Sequence, residues 1–467
     1  MSITVLSIVI SACGSRESDQ AVEAANGGRT TASSTGQAQA AGSTTKGGQA
    51  GTTGSSSSTT TTLGSTSSTL PRGSSTSPTS GGTSTGGSPQ AASQTQASST
   101  GPATLSKIVL GNVGAYSGVA GALWPDAQEA LQVWAKYTNA HGGLNGHIVQ
   151  VISEDDQGDP SLAVSESEQM IQQDHVLAFV GDMIPFEASA IAPFLAQNHI
   201  PLIGTEMSAD VEYTSPYIFP QGTSLENSVN ALATYFVHKG LTKFAVWTCV
   251  ESTVCSNGRT AAVNGGFQKA GVQVVQDIDI SLTQPSFTTD CLQAKSDGAQ
   301  VILFLADGAS IERGSTDCNQ QGYNPVMYNG TLAAAGSMLT TPSIQGNTYF
   351  SAGDFPWVDS NTPAQAAYHQ ALSQYAPGLA PDAANSTQWV AGEIVVAASQ
   401  FLSATNPTTA QLLQGLYSIK NDTFGGIALP TTYGTGANPG PSCTYLVEVN
   451  NNQWTSPIGD TTLCPPS

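Results

Sequence analysis

From Lys107 onward, apolar residues come in short runs separated by longer stretches in which they recur every three or four positions. The runs at 108–110, 148–152, 177–180, 201–203, 244–247, 272–275, 301–305 and 325–327 predict strands. The stretches between them predict helices near 124–140, 160–173, 187–198, 224–239, 257–270, 286–296 and 309–321. Asp159 stands directly before Pro160, an N-cap acceptor followed by a residue whose missing N–H is no loss in a first helical turn. Asn227, Asn257 and Ser286 sit near other starts. Helices near 361–375 and 385–404 follow, and the chain closes with a strand-rich stretch including 444–449 and the turn Asn450-Asn451-Asn452. Gly425 and Gly426 ahead of Ile427 mark a sharp change of direction. Strand alternating with helix predicts an α/β fold whose parallel sheets are covered on both faces. No repeat of 20 to 50 residues interrupts the pattern.

In such sheets ligands bind where loops leave the carboxyl ends of the strands. Those loops are 114–121, 182–187, 204–209, 248–257, 306–311 and 328–333. Helices begin at several of them, and their unpaired N–H groups make a carboxylate the expected guest.

Upstream the pattern vanishes. Residues 25–104 are almost entirely Ser, Thr, Gly, Ala and Gln, a composition that buries too little apolar surface to fold, and 14–103 is expected to be a disordered stalk with a reach on the order of 50 Å. The remaining 363 residues exceed one typical core, so two lobes are expected. Charge excludes two partner classes: 33 acidic against 13 basic residues give −20, which repels nucleic acid and anionic lipid. The apolar run at 3–10, followed by Ser11-Ala12-Cys13, is too short to span a bilayer, and residues 1–13 resemble a bacterial lipoprotein signal segment, cut so that a lipidated Cys13 is left as the mature N-terminus. No Lys or Arg precedes the run, so the natural start is expected upstream. Setting Cys13 aside leaves six cysteines. Of their 15 possible pairings, the local one is preferred: Cys249 with Cys255, Cys291 with Cys318, and Cys443 with Cys464.

Catalytic constellations are missing. There is no phosphate-binding Gly-x-x-x-x-Gly-Lys-Ser/Thr loop and no His-Glu-x-x-His, and Gly114-Ala-Tyr-Ser117-Gly118 places its serine one position off a nucleophile elbow. His141 and His147 flank a glycine turn and read as exposed turn residues. Glu154, Asp155 and Asp156 with Asp159 do not have the spacing of a calcium loop and read as a strand end with a helix cap. Cys249 and Cys255 are too far apart for a redox Cys-x-x-Cys. No enzyme, cofactor or metal is expected.

Three segments become specific when taken together: Gly111-Asn-Val-Gly114-Ala-Tyr-Ser117-Gly118, then Asn139-Ala-His-Gly142-Gly143-Leu-Asn-Gly146, then an alternating apolar strand reaching Asp156 and Asp159-Pro160. They resemble the start of a type I periplasmic binding protein of the Leu/Ile/Val-binding group, which serves ABC transporters. Val176-Leu-Ala-Phe-Val180-Gly181, His199-Ile-Pro201-Leu-Ile203, Tyr217-Ile-Phe219-Pro220, Gly266-Phe-Gln-Lys-Ala-Gly271 and Thr423-Phe-Gly425-Gly426-Ile427 are similar to later landmarks in the same order.

The resemblance implies two Rossmann-like lobes joined by three hinge crossovers, one lobe from 104–218 plus 351–424 and the other from 219–350 plus 425–467. It places the ligand carboxylate on the loops at 184–187 and 205–208. There Thr205 and Ser208 keep the hydroxyl chemistry, while Pro185 and Phe186 replace a Ser-rich stretch. Tyr116 matches a first-loop aromatic, with Ser117 beside it and Trp124 nearby. Two departures argue against a branched-chain amino acid: no acid lies at 328–331 to pair with its ammonium, and an aromatic beside the second-lobe cleft is replaced near Cys255. Asp182, Glu206, Glu251 and Asp307 are either replacement anions or solvated caps. Tyr116 and Phe186 either stack on ligand or pack the lobes, Asn329 either bonds ligand or ends a strand, and Trp247 belongs to the core.

The expectation is an extracytoplasmic lipoprotein of an ABC importer, held to the outer face of the membrane by its lipid alone. It is expected to be monomeric, to clamp a small polar solute that is amino acid-, amide- or organic acid-like, and to hand it to a membrane permease. The alternatives are a sensor of the same fold signalling to a membrane partner, or a wall-associated adhesin or enzyme.

Overall fold

The computed structural model describes residues 101–118, 121, 124, 126–330 and 333–466. The signal segment, Cys13 and the stalk up to residue 100 lie outside the described residues. The first sheet grows around β1 (Leu105–Gly114), paired in parallel with β2 (His147–Asp155) on one side and β3 (Phe179–Asp182) on the other. Beyond β3 come β4 (Leu202–Thr205) and β5 (Ile218–Phe219), giving the order β2-β1-β3-β4-β5. β1 outruns its apolar stretch because Asn112 is satisfied inside the core: its amide donates to the carbonyls of Val180 (3.0 Å) and Gly181 (2.9 Å), and it accepts from the Tyr116 hydroxyl (2.7 Å).

The helices of this sheet are α1 (Ala127–Ala140), α2 (Pro160–Gln169, continued by a π turn at Met170–Asp174), α3 (Ala188–Asn198) and α4 (Asp210–Thr214). Asp159 caps α2 as expected, accepting from Ser161 N (2.8 Å) and Leu162 N (3.3 Å). The glycine turn after α1 is explained by Asn139, whose side chain exchanges two 2.8 Å hydrogen bonds with the backbone of Val149 and so clamps the helix end to β2. One expectation fails here. His141 is exposed, but His147 is buried, its ring bonded to the carbonyls of Ser106 (2.8 Å) and Ser403 (3.0 Å).

The chain then crosses to the second sheet. It runs through α5 (Leu225–His238), β6 (Lys243–Cys249), α6 (Thr253–Ala261), a π turn at Ala262–Gly266, α7 (Phe267–Ala270), β7 (Gln273–Ile280), α8 (Thr288–Ser296), β8 (Val301–Leu305), α9 (Gly308–Gln320), β9 (Val326–Asn329) and β10 (Thr348–Ala352). It returns to cover the first sheet with α10 (Pro363–Tyr375), α11 (Ala383–Ala398) and α12 (Thr409–Ser418). A third crossing adds β11 (Tyr445–Asn450) and β12 (Gln453–Thr455) antiparallel at the edge, for the order β12-β11-β10-β9-β8-β6-β7. The α/β class with mostly parallel sheets is therefore observed. α6 starts four residues before its predicted start because Ser252 caps it, accepting from Val254 N (3.2 Å). The predicted 385–404 helix stops at Ala398 and turns at Ser399–Phe401. β10, α4 and α12 went unpredicted.

The six cysteines lie at bonding distance in the three local pairs. Among the described residues no helix is long and apolar enough to cross a membrane.

Helix α11 is buried along nearly its whole length and packs on α1, β3 and β4. Its approach requires glycine at two strand positions. Gly181 (φ 65°) lies under Gln388, whose Nε2 donates to its carbonyl (2.6 Å), and Gly204 (φ 77°) lies under Ala391. A methyl on Gly204 would overlap Ala391 and force an L side chain into left-handed backbone. Gly204→Ala is therefore expected to cost about 3 kcal/mol or more, read as a lower midpoint in denaturant unfolding.

Candidate functional site

Parallel strands deliver their carboxyl-end loops to one edge, and the edges of the two sheets meet across a cleft of about 90 Å³. The first sheet contributes Pro185 and Phe186 after β3, and Glu206 and Ser208 after β4, with Trp124 from the loop before α1. Trp124 satisfies its own polar tip by donating to Ala115 O (3.0 Å). The second sheet contributes Leu225, Val254, Leu282, Leu305, Ala306 and Ala333, the Cys249–Cys255 disulfide, and the polar residues Ser252, Asp307 and Asn329. The wall is thus mainly apolar, more so than the sequence led us to expect.

The loop after β4 is tightly folded on itself. Met207 adopts φ 65°, uncommon for a residue with a side chain. Its N–H donates to Thr205 Oγ1 (3.3 Å), and Ser208 N donates to Glu206 Oε2 (2.7 Å). Ala209 N goes to Glu212 Oε2 (3.1 Å), and in the neighbouring loop Phe186 N goes to Glu187 Oε2 (3.0 Å). In the second lobe the disulfide ties the end of β6 to the first turn of α6. Asp307 caps α9 through Ser310 N (2.5 Å), and the Asn329 amide donates to the carbonyls of Phe304 and Ala306 (both 2.9 Å).

Beneath the cleft a chain of carboxyl groups runs through the first lobe with no cation among them. Burial pushes Glu206 up to about 7 and Glu187 up to about 7. Burial, reinforced by Glu187, takes Asp156 to about 8. Asp182 and Glu212 are raised as well, again chiefly by burial. Glu206 and Glu212 press on each other, so one proton held between them is the state that avoids two adjacent buried charges. The only ion pairs among the described residues are those of Arg259 with Asp277 (2.8 Å) and Asp279 (2.9 Å), on the second sheet.

Of the ten sequence-derived contact candidates, the structure brings Phe186, Glu206, Ser208, Asp307 and Asn329 to the cleft. The other five are placed away from its lining. Tyr116 turns inward to Asn112, and exposed Ser117 donates its N–H to Asp155 (3.0 Å). Asp182 is buried and braces β1 by accepting from Val113 N (3.0 Å). Thr205 is fully buried, its N–H given to Gln221 (3.0 Å). Glu251 stays at the rim, accepting from Ser281 Oγ (2.5 Å) and Leu282 N (3.0 Å). Trp247 is a core residue, as expected. Sequence reasoning missed the aliphatic wall at Leu225, Leu282 and Leu305; these residues look like ordinary core positions, and only the meeting of two sheets exposes them to a common space. Among the described residues no group of three His, Cys, Asp or Glu is placed to hold a metal.

The family model for periplasmic binding proteins matches residues 107–453. An amino acid binding protein of Pseudomonas aeruginosa is 22% identical over 211 residues, 43% of this chain and 54% of that protein. Leu/Ile/Val-binding protein homolog 6 of Brucella abortus is 26% identical over 180 residues, 37% of this chain and 45% of that protein. The chain thus spans about half the length of the curated relatives it matches. Among solved structures, the leucine binding protein LivK of Thermotoga maritima superposes with a TM-score of 0.64 at 17% identity, covering 76% of this chain and 98% of that one. A fatty acid ABC transporter substrate-binding protein of Thermomonospora curvata gives 0.66 at 18%, covering 79% and 95%. At such identities these likenesses establish the fold.

The buried acids carry a pH dependence whose sign is fixed. Asp354, Asp382 and Glu393, each raised by burial to about 7, join Asp156, Glu187 and Glu206. An acid with a raised folded pKa binds more protons folded than unfolded, so stability is highest below about pH 4 as far as these groups are concerned, falls as pH rises, and levels off above about 8. Each net proton contributes a slope of about 1.4 kcal/mol per pH unit. Thermal midpoints measured from pH 4 to 8 are expected to fall monotonically; a maximum near neutrality contradicts this account.

Proposed function

This chain belongs to the periplasmic binding protein family, and we propose that it is the solute-binding component of an ABC importer, closing its two lobes around a small molecule and presenting it to a membrane permease. Its resemblance to the Leu/Ile/Val-binding group is borne out by the matching relatives and folds. The family implies a location outside the cytoplasm. We further propose that Cys13 carries the lipid that anchors the chain and that residues 14–103 act as its tether. The two jaws are taken as 104–218 plus 351–424 and 219–350 plus 425–467.

The observation that carries this reading is the cleft itself. It is built from loops of two separate sheets, connected by three chain crossings, so a bound solute touches both and favours the closed arrangement by its differential affinity. The apolar wall gives the solute an apolar body, compatible with a leucine-like side chain or with the acyl chain implied by the fatty acid neighbour's name. No reacting group is required, because the permease does the work of translocation.

Thermal unfolding of the full chain against amino acids, amides, amines and carboxylates tests it. A solute at 100 times its dissociation constant is expected to stabilise the fold by about 2.7 kcal/mol. Ala306→Trp fills the cleft and is expected to abolish that shift with little change in the unliganded midpoint. A shift that survives Ala306→Trp would put the ligand somewhere other than between the lobes.

A further inference from the structure

The loops that face the cleft from the first lobe spend backbone N–H groups on their own chain. The backbone N–H groups of Phe186, Met207, Ser208 and Ala209, the groups a ligand carboxylate would use there, are each already given to an oxygen of this chain. What remains directed at the cleft is different. Glu206 lines it with 3% of its surface exposed, and Ser208 lines it with 7% exposed. Neither Glu206 Oε1 nor Ser208 Oγ has an aligned hydrogen-bond donor or acceptor; the Ser208 hydroxyl sits beside the Glu206 carboxyl without being aligned on it, and the proton Glu206 shares with Glu212 is its other contact within the chain. A buried hydroxyl and a buried carboxyl oxygen left in this state are costly unless something else completes them.

The charge of that missing group follows from the surroundings. The ionisable side chains lining the cleft among the described residues are Glu206 and Asp307, both acids. Behind Glu206 stand Glu212 and Glu187, also acids. Arg313, behind the second wall, is engaged with Leu282 O (2.6 Å) and Ser310 Oγ (2.8 Å). An anion entering here would meet acids and, among the described residues, no cationic side chain on the lining, whereas a cation would meet its counter-charge in an apolar, weakly screened space. The remainder of the wall, Phe186, Leu225, Leu282, Leu305 and the disulfide, suits hydrocarbon.

Resting on the solute-binding reading above, we propose that the cleft takes an organic ammonium ion: a positively charged amine head held by Glu206 and Ser208, on an apolar body lying against the second-lobe wall. An α-amino acid presented with its carboxylate to the loop after β4, as the resemblance implied, is disfavoured, and so is a fatty acid. The cleft, at about 90 Å³, is small, so the body is short.

The test keeps the body constant and changes the head. 3-Methylbutylamine, 3-methylbutanol, 3-methylbutanoate and leucine are titrated into the full chain at neutral pH, with binding followed by calorimetry and by the thermal midpoint. The amine is expected to bind at least tenfold more tightly than the alcohol, and the carboxylate to be weakest. Glu206→Gln is expected to remove the advantage of the amine over the alcohol while leaving the alcohol's own affinity in place, and Ser208→Ala to reduce it without abolishing it. Binding led by the carboxylate or by leucine overturns the proposal and leaves the solute-binding reading intact. A silent amine overturns it too, even where Glu206→Gln fails to fold. Silence across these compounds and the wider panel of amino acids and amides removes both.

Discussion

Helix α11 lies against β3 and β4 so closely that neither Gly181 nor Gly204 has room for a β-carbon. That contact brings the returning helices α10 to α12 onto a sheet already completed at Phe219, and the cleft depends on it. The loops after β3 and β4 spring from the residues directly beyond those glycines, so the position of Phe186, Glu206 and Ser208 is set by how tightly a helix of small residues can approach the sheet. The same helix buries polar side chains at 385–388, and Gln388 repays its desolvation by bonding the Gly181 carbonyl. Fold and site are therefore joined at one interface, far from the chain termini.

Much of this was readable in advance because its causes are local. Period-two and period-three-to-four patterns mark most strands and helices, Asp159 and Pro160 announce a helix start, and the Asn139 turn is legible from its glycines although its clamp on β2 is not. What escaped had non-local causes. β10 carries the apolar pair Tyr349 and Phe350 but is a strand only because β9 and β11 flank it. His147 looked like a turn residue and is buried because Ser403, over 250 positions away, supplies an acceptor. At the site, Asp182 and Thr205 stood at the right loops, yet both are buried: the Asp182 carboxyl accepts from Val113 N in the neighbouring strand and the Thr205 hydroxyl accepts from Met207 N within its own loop, because the direction of a strand's last residue is set by register and not by chemistry.

The scarcity of bases explains both the stability profile and the site. With 13 Lys and Arg for 33 acids, the protein has few cations to pair with inward-facing carboxyls, and among the described residues none of those in the first lobe is in an ion pair. Backbone N–H groups and shared protons substitute for them, as at Asp182, Glu187 and the Glu206–Glu212 pair. A protonated carboxyl is far less costly to bury than a charged one, so this arrangement is coherent in acid and loses stability as protons leave.

The same donors that satisfy these acids are the ones a ligand carboxylate would have used. A loop of the type seen after β4 has a fixed number of N–H groups, and each one given to Glu206 or Glu212 is subtracted from what it can offer a guest. A carboxylate in that loop therefore does more than add a charge: it also takes up N–H groups that would otherwise face the cleft. In this chain the packing that holds the loop is backbone against small side chains, and the side chains of the loop compete for the same short list of hydrogen bonds.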